Sequence, residues 1–341
     1  MLAYILKRVL LMIPTLLGVL TLTFVVIQFV PGGPVEQIMA QARIGGAGVY
    51  KARGDTDAKQ IEELKKLYGF DKPAHVRYFE MLKSFATFDL GRSFLQNKPV
   101  WELIKEKLPV SISLGLWTFF ISYLISVPLG IAKAVREGSR FDALTTVAVL
   151  FGFAIPGFVL GVFLIVLFAG GTFWDIFPLR GLTSDNWQEL AWPARIRDYL
   201  WHMALPLVCL VIGSFAELTM LTKNTFVEEM RKQYVLVARA KGLSARRVLG
   251  KHMLRNALIP LVTGFPSAFI GAFFASALLI ETLFSLDGLG LLSYESVVRR
   301  DYPVVLGSLY FFTLIGLVVK LIADLLYVAV DPRVQFQAVA K

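Results

Sequence analysis

Six stretches of this chain are apolar over lengths that a lipid interior requires and a soluble core does not. Five of them, 9–30, 108–132, 143–174, 257–280 and 302–319, contain no Asp, Glu, Lys, Arg or His. A sixth, 199–221, is interrupted by His202 and Glu217 alone. Crossing about 30 Å of hydrocarbon takes roughly 20 residues of helix. The pattern therefore predicts transmembrane helices at 8–30, 108–133, 143–168, 199–221, 257–281 and 304–329. The runs are continuous, without the alternation of a membrane β-barrel. An all-α polytopic membrane protein is the expected fold class. The first run, with 22 uncharged residues before PGGP and no small-residue cleavage pattern after it, is too long for a signal peptide.

Between the first two spans the pattern changes. Pro31-Gly32-Gly33-Pro34 ends the first helix, and residues 41–56 (QARIGGAGVYKARGDT) are Gly-rich and aperiodic. Asp57 caps a predicted helix with Ile61, Leu64 and Leu67 on one face and Gly69 as its stop. A second helix from about Pro73 places Val76, Phe79, Leu82 and Phe85 at helical spacing. The expected organisation is an N-terminal span (1–30), a small helical extracytoplasmic subdomain (31–107), a permease core (108–330) and a tail (331–341). Pro156 and Pro206 fall inside spans, where bends are expected. Trp174, Trp187, Trp192 and Trp201 flank the fourth span and read as an interfacial aromatic belt.

Composition agrees with the pattern: 56% hydrophobic residues and a mean hydropathy of +0.64. Charge sets the orientation. The N-terminus, the loops at 133–142 and 222–256 and the tail hold sixteen Lys/Arg, against five in the opposing loops at 175–198 and 281–303. The segment 31–107 is too long to count. The positive-inside rule then puts both termini in the cytoplasm, and the net charge of +10 calls for no nucleic acid. The single cysteine, Cys209, allows no disulfide.

Within 222–256 lies VARAKGLSARRVLGKHMLRN, Val237 to Asn256, with six Lys/Arg and no carboxylate. Gly242 closes one predicted helix, from about Glu228 to Lys241, and Ser244 caps another that runs to about Asn256 with Val248, Leu249 and Leu254 as its apolar stripe. Three readings compete. A loop that only holds topology and touches anionic lipid needs the cations but no turn chemistry. A DNA-binding helix-turn-helix fails because both ends are tied to spans and no three-helix core surrounds it. A docking element welded to spans 4 and 5 would pass a partner's movement into the membrane.

Here the chain resembles a known family. The run from Ala238 to Pro260 looks like the cytoplasmic coupling loop of binding-protein-dependent ATP-binding-cassette importers, in the version typical of dipeptide and oligopeptide permeases. The 18-residue spacing from Gly242 to Pro260 fits that version. The opening YILKRVLLMIPTLLGVLTLTFVV, LYGFDKPAHVRYFEMLKSFATFDLGRS, LPVSISLGL, IETLFSLDGLGLL, RRDYPVV and DPR carry the likeness along the chain. SRFDAL, PLRGL and LTKNTFVEEMRKQYV narrow it to the B-type subunits.

The resemblance implies a non-catalytic permease subunit that moves oligopeptides across the bacterial cytoplasmic (inner) membrane. It implies a heterodimer with a second permease subunit, a separate or fused double ATPase that carries ATP and Mg, a periplasmic peptide-binding protein, and contact with membrane lipid. Ala238, Arg239, Ala240, Lys241, Gly242, Leu243, Ser244, Arg246 and Arg247 would meet the ATPase. The residues agree on one point independently: no GxxxxGK[ST] phosphate loop occurs, so this chain itself supplies no nucleotide site and no cofactor site is expected on it. HExxH and GxSxG are absent too, and His75, His202 and His252 are predicted at different depths, so no catalytic or metal site is expected.

An ion-driven carrier is the rival, because intramembrane ionisable groups are its signature. Lys320 and Asp324, four apart in the last span, read as a structural pair. Glu217 has no local partner and either lines a path or reaches the interface. Glu281 is placed to anchor a turn allowed by Gly288 and Gly290, so Glu217, Glu281, Gly288 and Gly290 are the candidate path or gate residues. The segment 31–107 with the 281–303 loop is the candidate rim for a delivering protein.

Overall fold

The computed structural model describes residues 2–29, 62, 71–171, 173–274 and 277–330. The expected stop at Pro31–Pro34, the insertion at 41–56, the Asp57 helix and the tail from Asp331 lie outside these residues. What is described is almost entirely helical. Four helices are long and apolar enough to cross a membrane, and a bent pair makes a fifth if counted as one span. This is a multi-pass membrane protein.

The chain divides into two compact units, Met1–Leu108 with Leu291–Leu317 and Pro109–Gly290 with Val318–Lys341. In the first, α1 (Leu2–Phe29) is apolar on nearly every face, and its threonines are tolerated because their hydroxyls bond back onto the helix. Thr15 donates to Leu11 O at 2.8 Å, and Thr23 to Val19 O at 2.8 Å. The helix α2 (Ala74–Ala86) begins after Pro73 and lies on α1, with Tyr78 and Thr21 sharing a hydrogen bond of 2.7 Å. Its buried face differs from expectation. Phe85 is buried against Tyr310, whereas Phe79 is exposed because Tyr78 takes the contact with Phe24 of α1. Asp301 ties a turn to the final helix within this unit: Ser93 Oγ donates to its carboxylate, and Phe94 N donates at 3.0 Å.

The helix α3 (Val100–Val135) starts eight residues before the predicted span, because Val100, Leu103 and Ile104 are fully buried and packing extends the helix. Next come α4 (Arg140–Ala154) and α5 (Gly157–Phe168), which meet at 90° across Ile155 and Pro156. Proline disfavours helical geometry in the residue before it, and Ile155 is extended. Gly157 is needed at the corner, since a Cβ there would lie 2.5 Å from Cys209 O. Pro206 behaves differently: α6 (Trp192–Met230) runs through it as one 39-residue helix. Pro206 is buried between buried Leu205 and Leu207, and the helix continues on both sides of it.

The shorter elements follow. They are α7 (Gln233–Ala240), then α8 over 245–257, then α9 (Ile259–Phe274) and α10 (Ala277–Leu283). The helix α11 (Leu289–Val298) precedes α12 (Tyr302–Val330). Of the predicted 257–281 span, α9 supplies 16 helical residues and α10 its end. Glu228 lies in the last turn of α6, so the predicted Glu228–Lys241 helix is two elements, broken where Lys232 adopts an extended conformation.

Candidate coupling surface and transport cavity

The basic segment is a helix pair closed by a glycine. Gly242 has φ +78°, the left-handed conformation that glycine adopts without a Cβ penalty. Its N–H bonds to Arg239 O at 2.9 Å and that of Leu243 to Ala238 O at 3.4 Å, the two bonds of a Schellman end. Leu243 then folds back onto the apolar cluster that Ala238 joins. Ser244 takes the N-cap position of the next helix, but its hydroxyl makes no capping bond; its carbonyl accepts from Val248 N at 3.0 Å instead. The helix α8 is irregular: Ala245–Arg247 is α-helical, Val248–Met253 is a π-helix, and Leu254–Ala257 is α-helical again.

The wider π turns bring Val248 and Met253 onto one buried face with Val235, Ala238 and Ala257. Met253 had no place in the stripe expected from α-helical spacing. This face packs on Ala134 of α3 and Phe226 of α6. Arg239, Ala240, Lys241, Gly242, Ser244, Arg246 and Arg247 are exposed, and Leu243 is half-buried. The result is a cationic surface on an apolar base fixed to two long helices.

Two buried carboxylates brace that base, and neither was anticipated. Glu229, at the end of α6, accepts hydrogen bonds from Lys232 and from Tyr234 of α7. Asn256 of α8 donates to the Tyr234 hydroxyl at 3.3 Å, so three helices meet at one group. Burial and the bond to Glu229 push the Tyr234 phenol up to about 12, which keeps it a donor. The second is Asp142, which follows the Ser139 cap of α4. Lys223 of α6 grips both its oxygens, at 2.8 and 2.7 Å. Lys133 of α3, with no exposed surface, lies 3.2 Å from Oδ1 and donates to Thr145 and Thr146 hydroxyls at 2.8 and 2.7 Å.

Glu217 lies elsewhere on α6. It lines a cavity of about 920 Å³ walled by α3, α5, α6, α9 and α10. Thr118, Ser122, Tyr123 and Ser214 give the wall hydroxyl groups, and Ser122 and Ser214 bond to each other at 2.8 Å. Gly213, Gly264 and Gly271 open onto space: an added Cβ at any of them would meet nothing within 4 Å.

Glu281, Gly288 and Gly290 do come together. Glu281 is fully buried, and a Cβ on Gly288 would fall 2.3 Å from its Oε1. The Cβ of residue 290 would be 3.1 Å from Oε2. Ser111 Oγ accepts from Leu289 N at 2.8 Å and lies 3.5 Å from Glu281 Oε1. Glu281 is thus cradled inside the turn that it braces, and Glu217 is not part of this group. On α12, Lys320 is exposed and Asp324 half-buried.

The fold and the fixed basic helix pair define a transporter subunit, and comparison with known proteins gives the class. Residues 126–336 match the family of binding-protein-dependent transport system inner membrane components, and the chain belongs to that family. It is 51% identical to the peptidoglycan transport system permease protein YejB of Agrobacterium fabrum, over 98% of each chain. It is 49% identical to the inner membrane ABC transporter permease protein YejB of Escherichia coli, over 98% of this chain and 99% of that one. The dipeptide transport system permease protein DppB of Escherichia coli is 34% identical over the same shares. Among solved structures, the inward-facing MetNI methionine ABC transporter is similar in fold, with TM-score 0.51 and 16% identity over 68% of this chain and 97% of that chain. The chain is a permease component of a binding-protein-dependent importer, and the ion-driven carrier finds no support.

Proposed function

We propose that this chain is one of two different permease subunits through which an ATP-binding-cassette importer moves oligopeptides across the bacterial inner membrane. Six spans, cytoplasmic termini, and an extracytoplasmic subdomain at 31–107 complete the reading. ATP and Mg sit on a partner ATPase, and a periplasmic peptide-binding protein docks on 31–107 with the 281–303 loop. The name of the dipeptide permease relative at 34% identity supports the peptide substrate.

The observation that carries the coupling role is the Schellman-closed pair, α7 and α8, with seven exposed positions at 239–242, 244 and 246–247 over a base packed on α3 and α6. A partner that pushes this surface moves both long helices, because the base is buried and braced rather than hinged. The cations give such a partner a surface of complementary charge to meet. The expected outcome of Arg246→Glu is loss of peptide uptake while the subunit still co-purifies from membranes with a second six-span protein and an ATPase. Normal uptake by the stable variant would overturn the coupling role.

A further inference from the structure

We infer that Glu217 is a selectivity point for positively charged groups on the cargo, so that peptides rich in lysine or arginine pass this cavity faster than acidic ones. This rests on the peptide-importer reading above and concerns the substrate class that the pathway favours.

The cavity wall is asymmetric in charge. Of the side chains that line it, Glu217 is the one acid, and no Lys, Arg or His is among those described. Its carboxylate is exposed to the cavity, and among the described residues it has no ion-pair or hydrogen-bond partner. The buried carboxylates are in use: Asp142 by two lysines, Glu229 by Lys232 and Tyr234, Asp301 by Ser93 and Phe94 N–H, and Glu281 inside its glycine cradle. A lone ionisable group in a membrane helix is costly and is kept where it meets water or a charged ligand.

The surroundings suit an ammonium or guanidinium group. Ser214 is three residues before Glu217 and Gly213 four, so all three share a face of α6. The Ser122 and Ser214 hydroxyls stand ready as secondary acceptors, and the missing side chains at 213, 264 and 271 leave room for a bulky chain. A peptide cation entering this wall loses water and regains a charge-assisted hydrogen bond, whereas a peptide carboxylate finds no basic partner here. One carboxylate is enough to discriminate and too little to trap the cargo, as conduction requires.

The test is uptake of two labelled tripeptides, Ala-Lys-Ala and Ala-Glu-Ala, by the complete transporter in proteoliposomes with ATP inside. The variants are Glu217→Gln, which keeps the shape, and Glu217→Asp, which keeps the charge. In the Gln variant, uptake of the lysine peptide is expected to fall about tenfold relative to that of the glutamate peptide, the size of one charged hydrogen bond. The Asp variant is expected to recover most of that ratio. An unchanged ratio in the Gln variant, or equal slowing of both peptides, would overturn the inference. If the unaltered complex moves neither peptide, the peptide-importer reading falls and takes this inference with it.

Discussion

The base of the coupling helices and the cavity lie within the same compact unit, yet they treat charge in opposite ways. At the base every buried carboxylate is engaged: Asp142 holds α3, α4 and α6 together, and Glu229 joins α6 to α7 and α8. In the cavity the carboxylate of Glu217 has no partner among the described residues and shares the wall with glycines that have empty space beside them. A region that transmits movement gains from rigidity, so its polar groups are satisfied by its own side chains. A region that passes cargo must leave contacts for the cargo to make.

The sharpest way to break this comparison is Asp142→Ala. Two lysines then lose their counter-charge, one of them with no exposed surface. Removing one partner of such a buried set costs about 3–5 kcal/mol. We expect a large fall in melting temperature of the detergent-solubilised complex. Lys133→Met should cost less, because Lys223 still pairs with Asp142 on both oxygens. Equal losses in the two variants would mean that the carboxylate is not the centre of the cluster.

These residues also show where reading the chain fell short. Gly242 was legible because a turn glycine between two helical patterns is a local signal, and its positive φ follows from four or five consecutive residues. The bend at Pro156 was legible for the same reason, whereas at Pro206 the helix assignment runs on unbroken through a buried stretch of α6. Asp142 and Lys223 are 81 residues apart, and nothing local pairs them. Lys133 and Lys223 read as topology signals at loop ends, and only the fold turns them inward. Likewise, the π-helix at 248–253 changes which side chains share a face, so α-helical spacing could not find Met253. Glu281 with Gly288 and Gly290 was within reach because only a few residues separate them.

The turn at Gly288 lies between the two extremes, since the buried Glu281 carboxylate is cradled there against two glycines. Gly288→Ala places a Cβ where Glu281 Oε1 now sits, at 2.3 Å, so the buried carboxylate must shift. Overpacking of this kind costs about 1–3 kcal/mol. In a double-mutant cycle, Glu281→Ala should remove most of that penalty, because the clash disappears with the side chain. Additive losses would show that Gly288 is required by the backbone of the turn and not by Glu281.

The mildest change is expected at the cavity wall, where Gly264→Leu adds a side chain to a position with nothing within 4 Å. Its Cβ meets nothing within 4 Å and the change leaves no buried polar group unpaired, so stability should move by no more than about 0.5 kcal/mol. Transport should respond nonetheless. The added side chain takes up part of the cavity of about 920 Å³ that Glu217 also lines, and bulky cargo has to pass it. Uptake of a peptide with tryptophan side chains should fall more than uptake of trialanine in the same proteoliposomes, with ATP hydrolysis unchanged. If both peptides slow together, or neither does, the open glycines are not part of the route and the contrast between a braced base and a yielding cavity fails at its second member.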